Sequence, residues 1–221
     1  MTIKQRAVTE EQRLERRQAL VEAAWRLFQD KAYQAINIAD VASAAGLAKG
    51  TVYLYFGTKE ALFLAVQEQQ LAEWSNALAG QLAGLAGCGQ VGAVADVVCG
   101  TLSQRPALTR LFAILHVVLE QNIAYPTALA FKQMLLERIL RTGAALEACL
   151  PALPPGQGAQ AAMWIYTFLL GLQQLTNPSP IIRRVIAQEP GMQVFDLDFC
   201  RECKAVVMAL LAGLENRSDQ E

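Results

Sequence analysis

The residues best suited to chemistry on a surface lie in one short run, Lys49-Gly50-Thr51-Val52-Tyr53-Leu54-Tyr55. On a helix, Thr51 and Tyr55 stand four apart on one face with Tyr53 beside them, while Val52 and Phe56 stand four apart on a buried face. Hydroxyls and phenols so arranged can meet base edges, the thymine methyl or phosphate oxygens. Lys49 and Lys59 flank the run and can neutralise phosphate charge, and Gly50 leaves room for close approach. Helix starts near Asn37 and Thr58 offer backbone N–H groups to phosphates. Arg6, Arg13, Arg16 and Arg17 can reach the same backbone from upstream.

Elsewhere the chemistry is thinner. His116 is the only histidine and sits amid Ile114, Leu115, Val117 and Val118, with Glu120 four residues on to orient it. A metal would lack further ligands there, and the expected state of His116 is a neutral, satisfied core side chain. No H-E-x-x-H, nucleophile elbow or P-loop occurs, so no catalytic residue, metal or cofactor is expected. Gly87 to Gly92 spells G-x-G-x-x-G, but no strand precedes it, and it reads as a flexible connection rather than a dinucleotide site. Cys200 and Cys203 form a C-x-x-C without a second pair at zinc spacing. With Phe199, Cys203, Val206, Leu210 and Leu214 as a buried stripe, these thiols read as packing, and a thiol sensor is the alternative.

The elements that must position these residues are helices throughout. Leu20, Ala23, Ala24, Leu27 and Phe28 follow the spacing of one buried stripe, giving a first helix from Glu10 to Asp30. A short helix over 38–45 has Asn37 as N-cap with Asp40 reaching back, and Gly46 ends it. A second short helix spans 49–56, and Thr58 caps a long helix carrying Leu62, Phe63, Val66 and Leu71. Two short helices joined by a Gly-containing turn on an amphipathic first helix are what presents a recognition helix to the major groove. The Gly-rich stretch from Gly80 to Gly92 marks a connection. Further helices fit 92–104, 107–121, 127–149, 157–176 and 197–215, separated by Pro106, Pro126, the Pro151-Pro154-Pro155 cluster, Pro178, Pro180 and Pro190.

Among 221 residues, 53% are apolar and 18% charged, which suits a folded chain with a large core. The net charge of −1 gives no bulk basicity, yet residues 1–60 carry +2 and the remainder −3, so the N-terminal part is the one that can approach phosphates. The longest apolar runs fall short of the roughly 20 residues a membrane helix needs, and the charged N-terminus lacks the apolar core of an export signal. No membrane partner and a cytoplasmic location are expected, with the five cysteines reduced.

The C-terminal half holds aromatic and polar side chains suited to a mostly apolar ligand cavity. Tyr166 belongs to this aromatic material, and the candidates are Trp74, Phe112, His116, Glu120, Phe131, Met134, Trp164 and Phe168. Phe112 and His116 share a helix face, as do Trp164 and Phe168.

The stretch IADVASAAGLAKGTVYLYFGTKEALFLAV, residues 38–66, resembles the DNA-binding domain of the TetR family of helix-turn-helix transcriptional repressors. It has Ile-Ala at the second helix, Ala-Gly at the turn, Lys-Gly-Thr-Val-Tyr-x-Tyr-Phe in the recognition helix and Lys-Glu-x-Leu-Phe opening the fourth. The resemblance covers about residues 10–70. It implies an all-α fold, with a three-helix DNA-binding domain (1–57) joined by a long helix to a helical ligand-binding and dimerisation domain (58–221). It also implies a homodimer, formed through helices near 157–176 and 197–215, on palindromic double-stranded operator DNA, released by a small-molecule effector of hydrophobic or amphipathic character. The family's DNA contacts fall on Asn37, Lys49, Gly50, Thr51, Tyr53, Tyr55 and Lys59. Two positions depart from the pattern: Ala48 cannot cap the recognition helix by its side chain, and Leu54 replaces a more frequent polar residue. The alternative is an all-helical small-molecule binder or enzyme whose helix-turn-helix serves assembly only.

Overall fold

The computed structural model describes residues 9–218. Arg6, one of the upstream arginines named above, lies outside them. Ten α-helices are present among the described residues: α1 (Glu10–Asp30), α2 (Ile38–Ala44), α3 (Lys49–Tyr55), α4 (Lys59–Ala83), α5 (Val91–Ser103), α6 (Pro106–Ile114), α7 (Tyr125–Cys149), α8 (Gln157–Thr176), α9 (Pro180–Gln188) and α10 (Phe199–Ser218). None is long and apolar enough to cross a membrane.

The N-terminal helices start and stop where local chemistry dictates. At α1, the Thr9 side chain accepts from the Gln12 amide while Gln12 accepts from that of Thr9, both at 3.2 Å. Asn37 and Asp40 repeat this box at α2, at 2.9 and 3.1 Å. The end of α2 is a Schellman motif. Gly46 takes φ +68°, its N–H reaches the Ser43 carbonyl at 3.1 Å, and the Leu47 N–H reaches that of Ala42 at 2.9 Å. Gly46→Ala places a side chain in that left-handed conformation and should cost about 1–2 kcal/mol of stability, read as a lowered melting temperature by circular dichroism.

Around Phe63, buried on α4, the first core closes. Phe28 packs against it edge-on at 5.8 Å and Tyr33 at 5.0 Å. α4 is buried without interruption from Leu62 to Gln67 because it lies between α1 and the C-terminal body, and farther on it buries Leu78 and Leu82 in the second core. That body is an α7–α8 pair with α4, α5, α6 and α10 packed around it. α7 and α8 cross at contact distance: a Cβ built on Gly158 would lie 2.2 Å from the Gly143 carbonyl oxygen. The Glu147 carboxylate accepts from the Gly156 and Gly158 amides, both at 2.8 Å, and so caps the start of α8.

Several boundaries differ from the sequence expectation. Pro106, Pro126 and Pro180 do not separate helices; each sits in the first turn of one, where a missing N–H costs nothing. α9, bracketed by prolines, was therefore not anticipated. The segment expected as one helix over 107–121 is α6 followed by a π-helical turn, Leu115–Leu119. Gly80 lies inside α4, and the G-x-G-x-x-G segment is tied down. Gly87 and Gly89 donate to the last carbonyls of α7, Ala148 at 2.8 Å and Cys149 at 3.0 Å, which would otherwise be orphaned. The buried stripe of α10 is Cys203, Val207, Leu211 and Leu214: Cys203 and Leu214 are buried as expected, while Val207 and Leu211 take the places expected of Val206 and Leu210, and Phe199 is only half-buried. Cys200 is exposed, and the buried neighbour of Cys203 is Cys99, with 2.6 Å between the sulfurs.

Candidate nucleic-acid interface and internal cavity

α3 projects from the first core as a platform. Val52 and Phe56 are buried beneath it, Tyr55 packs partly against the core, and Lys49, Gly50, Tyr53 and Leu54 face outward. Leu54 is 80% exposed, the highest value among the large apolar side chains of the described residues. Its signal in the sequence was the departure from a polar residue. An uncovered leucine there is an apolar contact available to a thymine methyl. No side chain caps α3 at Ala48, as its identity requires.

The flanking cations divide. Arg17 stacks over the Phe56 ring at 5.1 Å, beside the end of α3. Arg26 donates to the Ala44 carbonyl at 3.4 Å and steadies the end of α2. Arg13 pairs with Glu10, and Arg16 is exposed. Lys59, by contrast, is engaged internally: its Nζ donates to the Tyr33 carbonyl oxygen and lies 3.8 Å from that ring's centroid. Burial lowers the Lys59 pKa, opposed by Glu60. The Tyr33 hydroxyl donates to Glu60 at 2.9 Å, and burial together with that carboxylate raises the Tyr33 pKa. Asn37 is exposed, with its side-chain oxygen committed to the α2 cap. Thr58 caps α4 through the Ala61 amide and donates to the Asn122 carbonyl at 3.1 Å, tying the α3–α4 turn to the body.

Inside the body a narrow apolar cavity of about 50 Å³ lies between α4, α5, α6, α7 and α8. Of the eight pocket candidates, Trp74 and Phe112 line it, their rings edge-on at 6.0 Å, and Trp74 donates to Thr101 at 3.1 Å. Tyr166, one of the aromatic side chains expected to suit a cavity, lines it too, and so do Arg138, Ser75 and Thr142, for which no such expectation stands. Arg138 could have been found as the lone cation on the α7 stripe that carries Leu135, Ile139, Thr142 and Leu146.

His116 is not the core residue expected. It sits on the π-helical turn with its side chain 40% exposed, where it bonds Tyr166 at 3.0 Å and Glu120 at 3.1 Å. Burial pushes the Glu120 carboxyl up, but hydrogen bonds from Lys132, at 2.7 Å, and His116 outweigh it and hold the pKa below its usual value. Phe112 and His116 do meet one environment, since both contact Tyr166. Phe131 is buried and Met134 half-buried, neither on the cavity wall, while Trp164 is exposed and Phe168 half-exposed on other faces of α8. A larger and more polar cleft, of about 810 Å³, opens where the end of α1 meets the α5–α6 turn and the start of α10.

Comparison with known proteins agrees with this architecture. Residues 20–66 match the family model of bacterial regulatory proteins of the tetR family, and residues 68–218 match the tetracyclin repressor-like C-terminal domain. YerO, an HTH-type transcriptional regulator of Bacillus subtilis, is 39% identical over 54 residues, which are 24% of this chain and 19% of YerO. YvdT of the same organism is 35% identical over 65 residues, 29% of this chain and 34% of YvdT. The chain thus spans about a third or less of either relative. A TetR transcriptional regulator from Rhodococcus sp. RHA1 superposes with a TM-score of 0.56 at 21% identity, covering 93% of this chain and 97% of the other. Since the two family models together account for almost all of the described helices, this chain belongs to the TetR family of helix-turn-helix, DNA-binding transcriptional regulators.

Proposed function

We propose that the protein is a ligand-responsive repressor that binds palindromic operator DNA as a homodimer and is released by a hydrophobic or amphipathic effector held in the cavity between α4 and α8. The DNA-binding part is residues 1–57 and the effector and dimerisation part residues 58–221, with α4 shared between the two cores. Lys49, Thr51, Tyr53 and Tyr55 contact the operator, Leu54 meets a thymine methyl, Gly50 permits close approach, and Asn37 presents the start of α2 to a phosphate. Lys59, held by Tyr33, acts by fixing the α3–α4 corner rather than by flanking the DNA. The subunits pair through α8 and α10, whose outward faces expose Met163, Trp164, Leu175 and Met208. The site of action is the cytoplasm.

The observation that carries the coupling is that α6 holds both ends of it. Phe112 stands in the cavity wall, and Arg110 on the same helix donates to the carbonyls of Phe28 and Gln29 at 2.7 and 2.8 Å, closing the last turn of α1. That turn carries no cation of its own. An effector that displaces Phe112 therefore moves the cap on α1, and with it the spacing of the recognition helices in the dimer. The test is operator affinity of wild type and Arg110→Gln, with and without the compound from a panel of amphiphiles that most raises the melting temperature. Wild type should lose affinity about 5–150-fold on ligand binding, and Arg110→Gln should bind ligand with little change in operator affinity. Equal responses in the two proteins would contradict this route.

A further inference from the structure

The cavity is walled almost wholly by apolar side chains, yet one full charge stands in it. Arg138 of α7 lines the wall beside Leu135, Ile139 and Leu71, and its Nε is sealed from solvent without an acceptor. Its Nη1 donates to Ser75 Oγ at 3.1 Å, and Ser75 in turn donates to the Ala72 carbonyl at 3.2 Å, which fixes the direction of the guanidinium. One turn along α7, Arg141 donates to Asn76 Oδ1 at 3.1 Å, and Arg138 Nη1 approaches the same oxygen at 3.4 Å. Two cations thus converge on a neutral amide, and among the described residues neither has a carboxylate within ion-pair distance. No acidic side chain lines the cavity.

A partly desolvated guanidinium without a counter-charge is costly unless something compensates it. Its planar fork matches a carboxylate or phosphate and not a neutral or cationic group. We infer that the ligand of this cavity is an anionic amphiphile, whose apolar chain enters by parting the walls at Trp74, Leu78 and Leu169 and whose carboxylate or phosphate head sits on Arg138, with Arg141 reinforcing the field and Ser75 holding the fork in place. The inference rests on the reading of this cavity as the effector site and narrows it from any apolar compound to one with a negative head.

The test follows Trp74 fluorescence while full-length protein is titrated with dodecanoate, dodecyl phosphate and dodecanol, each below its micellar concentration. At least one anion should bind about tenfold or more tightly than the alcohol, and the arm that does so identifies the head group. Arg138→Gln should bring that anion down to the level of the alcohol, with an unchanged melting temperature showing that the helices around the cavity still pack; Arg138→Lys should keep part of the preference. Equal affinity of wild type for the anions and the alcohol overturns the anionic head while leaving the cavity as a ligand site. No binding of any of the three overturns both. Tight anion binding that leaves operator affinity unchanged keeps this inference and contradicts only the coupling through α6.

Discussion

Gly158→Ala should destabilise the protein by about 3 kcal/mol, a fall in melting temperature on the order of 6–12 °C for a chain of this size. The added Cβ would stand 2.2 Å from the Gly143 carbonyl oxygen and 2.8 Å from its carbon, so backbone rather than a flexible side-chain end must move. The crossing of α7 on α8 would open, and the Glu147 carboxylate would lose its hold on the amides of Gly156 and Gly158. Because α7 and α8 form two walls of the cavity, ligand binding should weaken with stability. Gly80→Ala is the matched control: it lies in α4 with nothing within 4 Å of the new carbon, and its gain in helix propensity should raise the melting temperature slightly. Circular dichroism melts of the three proteins decide it, and equal losses in both variants would contradict the close crossing.

Lys49→Ala combined with Tyr55→Phe should weaken operator binding about 10–100-fold without changing the melting temperature. Lys49 is exposed at the start of α3, and among the described residues its side chain makes no hydrogen bond or ion pair. Tyr55 packs partly against the core, so phenylalanine keeps the ring and removes only the hydroxyl. Loss of one phosphate contact per subunit should also shallow the salt dependence of the dimer by about two. Lys59→Ala should behave differently. It releases Tyr33 and the α3–α4 corner, so its effect should appear in the melting temperature as well as in DNA affinity. Fluorescence anisotropy with operator duplex at two salt concentrations separates the two behaviours.

The N-terminal third was readable from sequence because its signals are local. The capping box at Asn37, the Gly46 stop and the Thr58 cap each act within four residues, and α1 to α4 lie where those residues put them. In the C-terminal body the deciding contacts are long-range. The proximity of Cys99 to Cys203, the cap that Gly87 and Gly89 place on α7, and the bond from His116 to Tyr166 join segments remote in the chain. Periodicity assigns such residues to helices but does not say which helix faces them. Prolines misled for a local reason: the same residue that ends one helix is suited to the first turn of the next. The cavity was half legible. Aromatic content pointed to Trp74 and Phe112, whereas Arg138 was overlooked because a charge amid an apolar stripe reads as surface until its surroundings are known.

The most direct measurement of the central claim, that α3 reads an inverted repeat as part of a dimer, is selection from random duplex DNA with wild type and the Lys49→Ala, Tyr55→Phe double variant at low and high salt. Wild type should enrich a two-fold symmetric sequence, more strongly at low salt, and the variant should recover it weakly or not at all. Enrichment of the same sequence by both proteins, or of no sequence by wild type at either salt, would contradict the account.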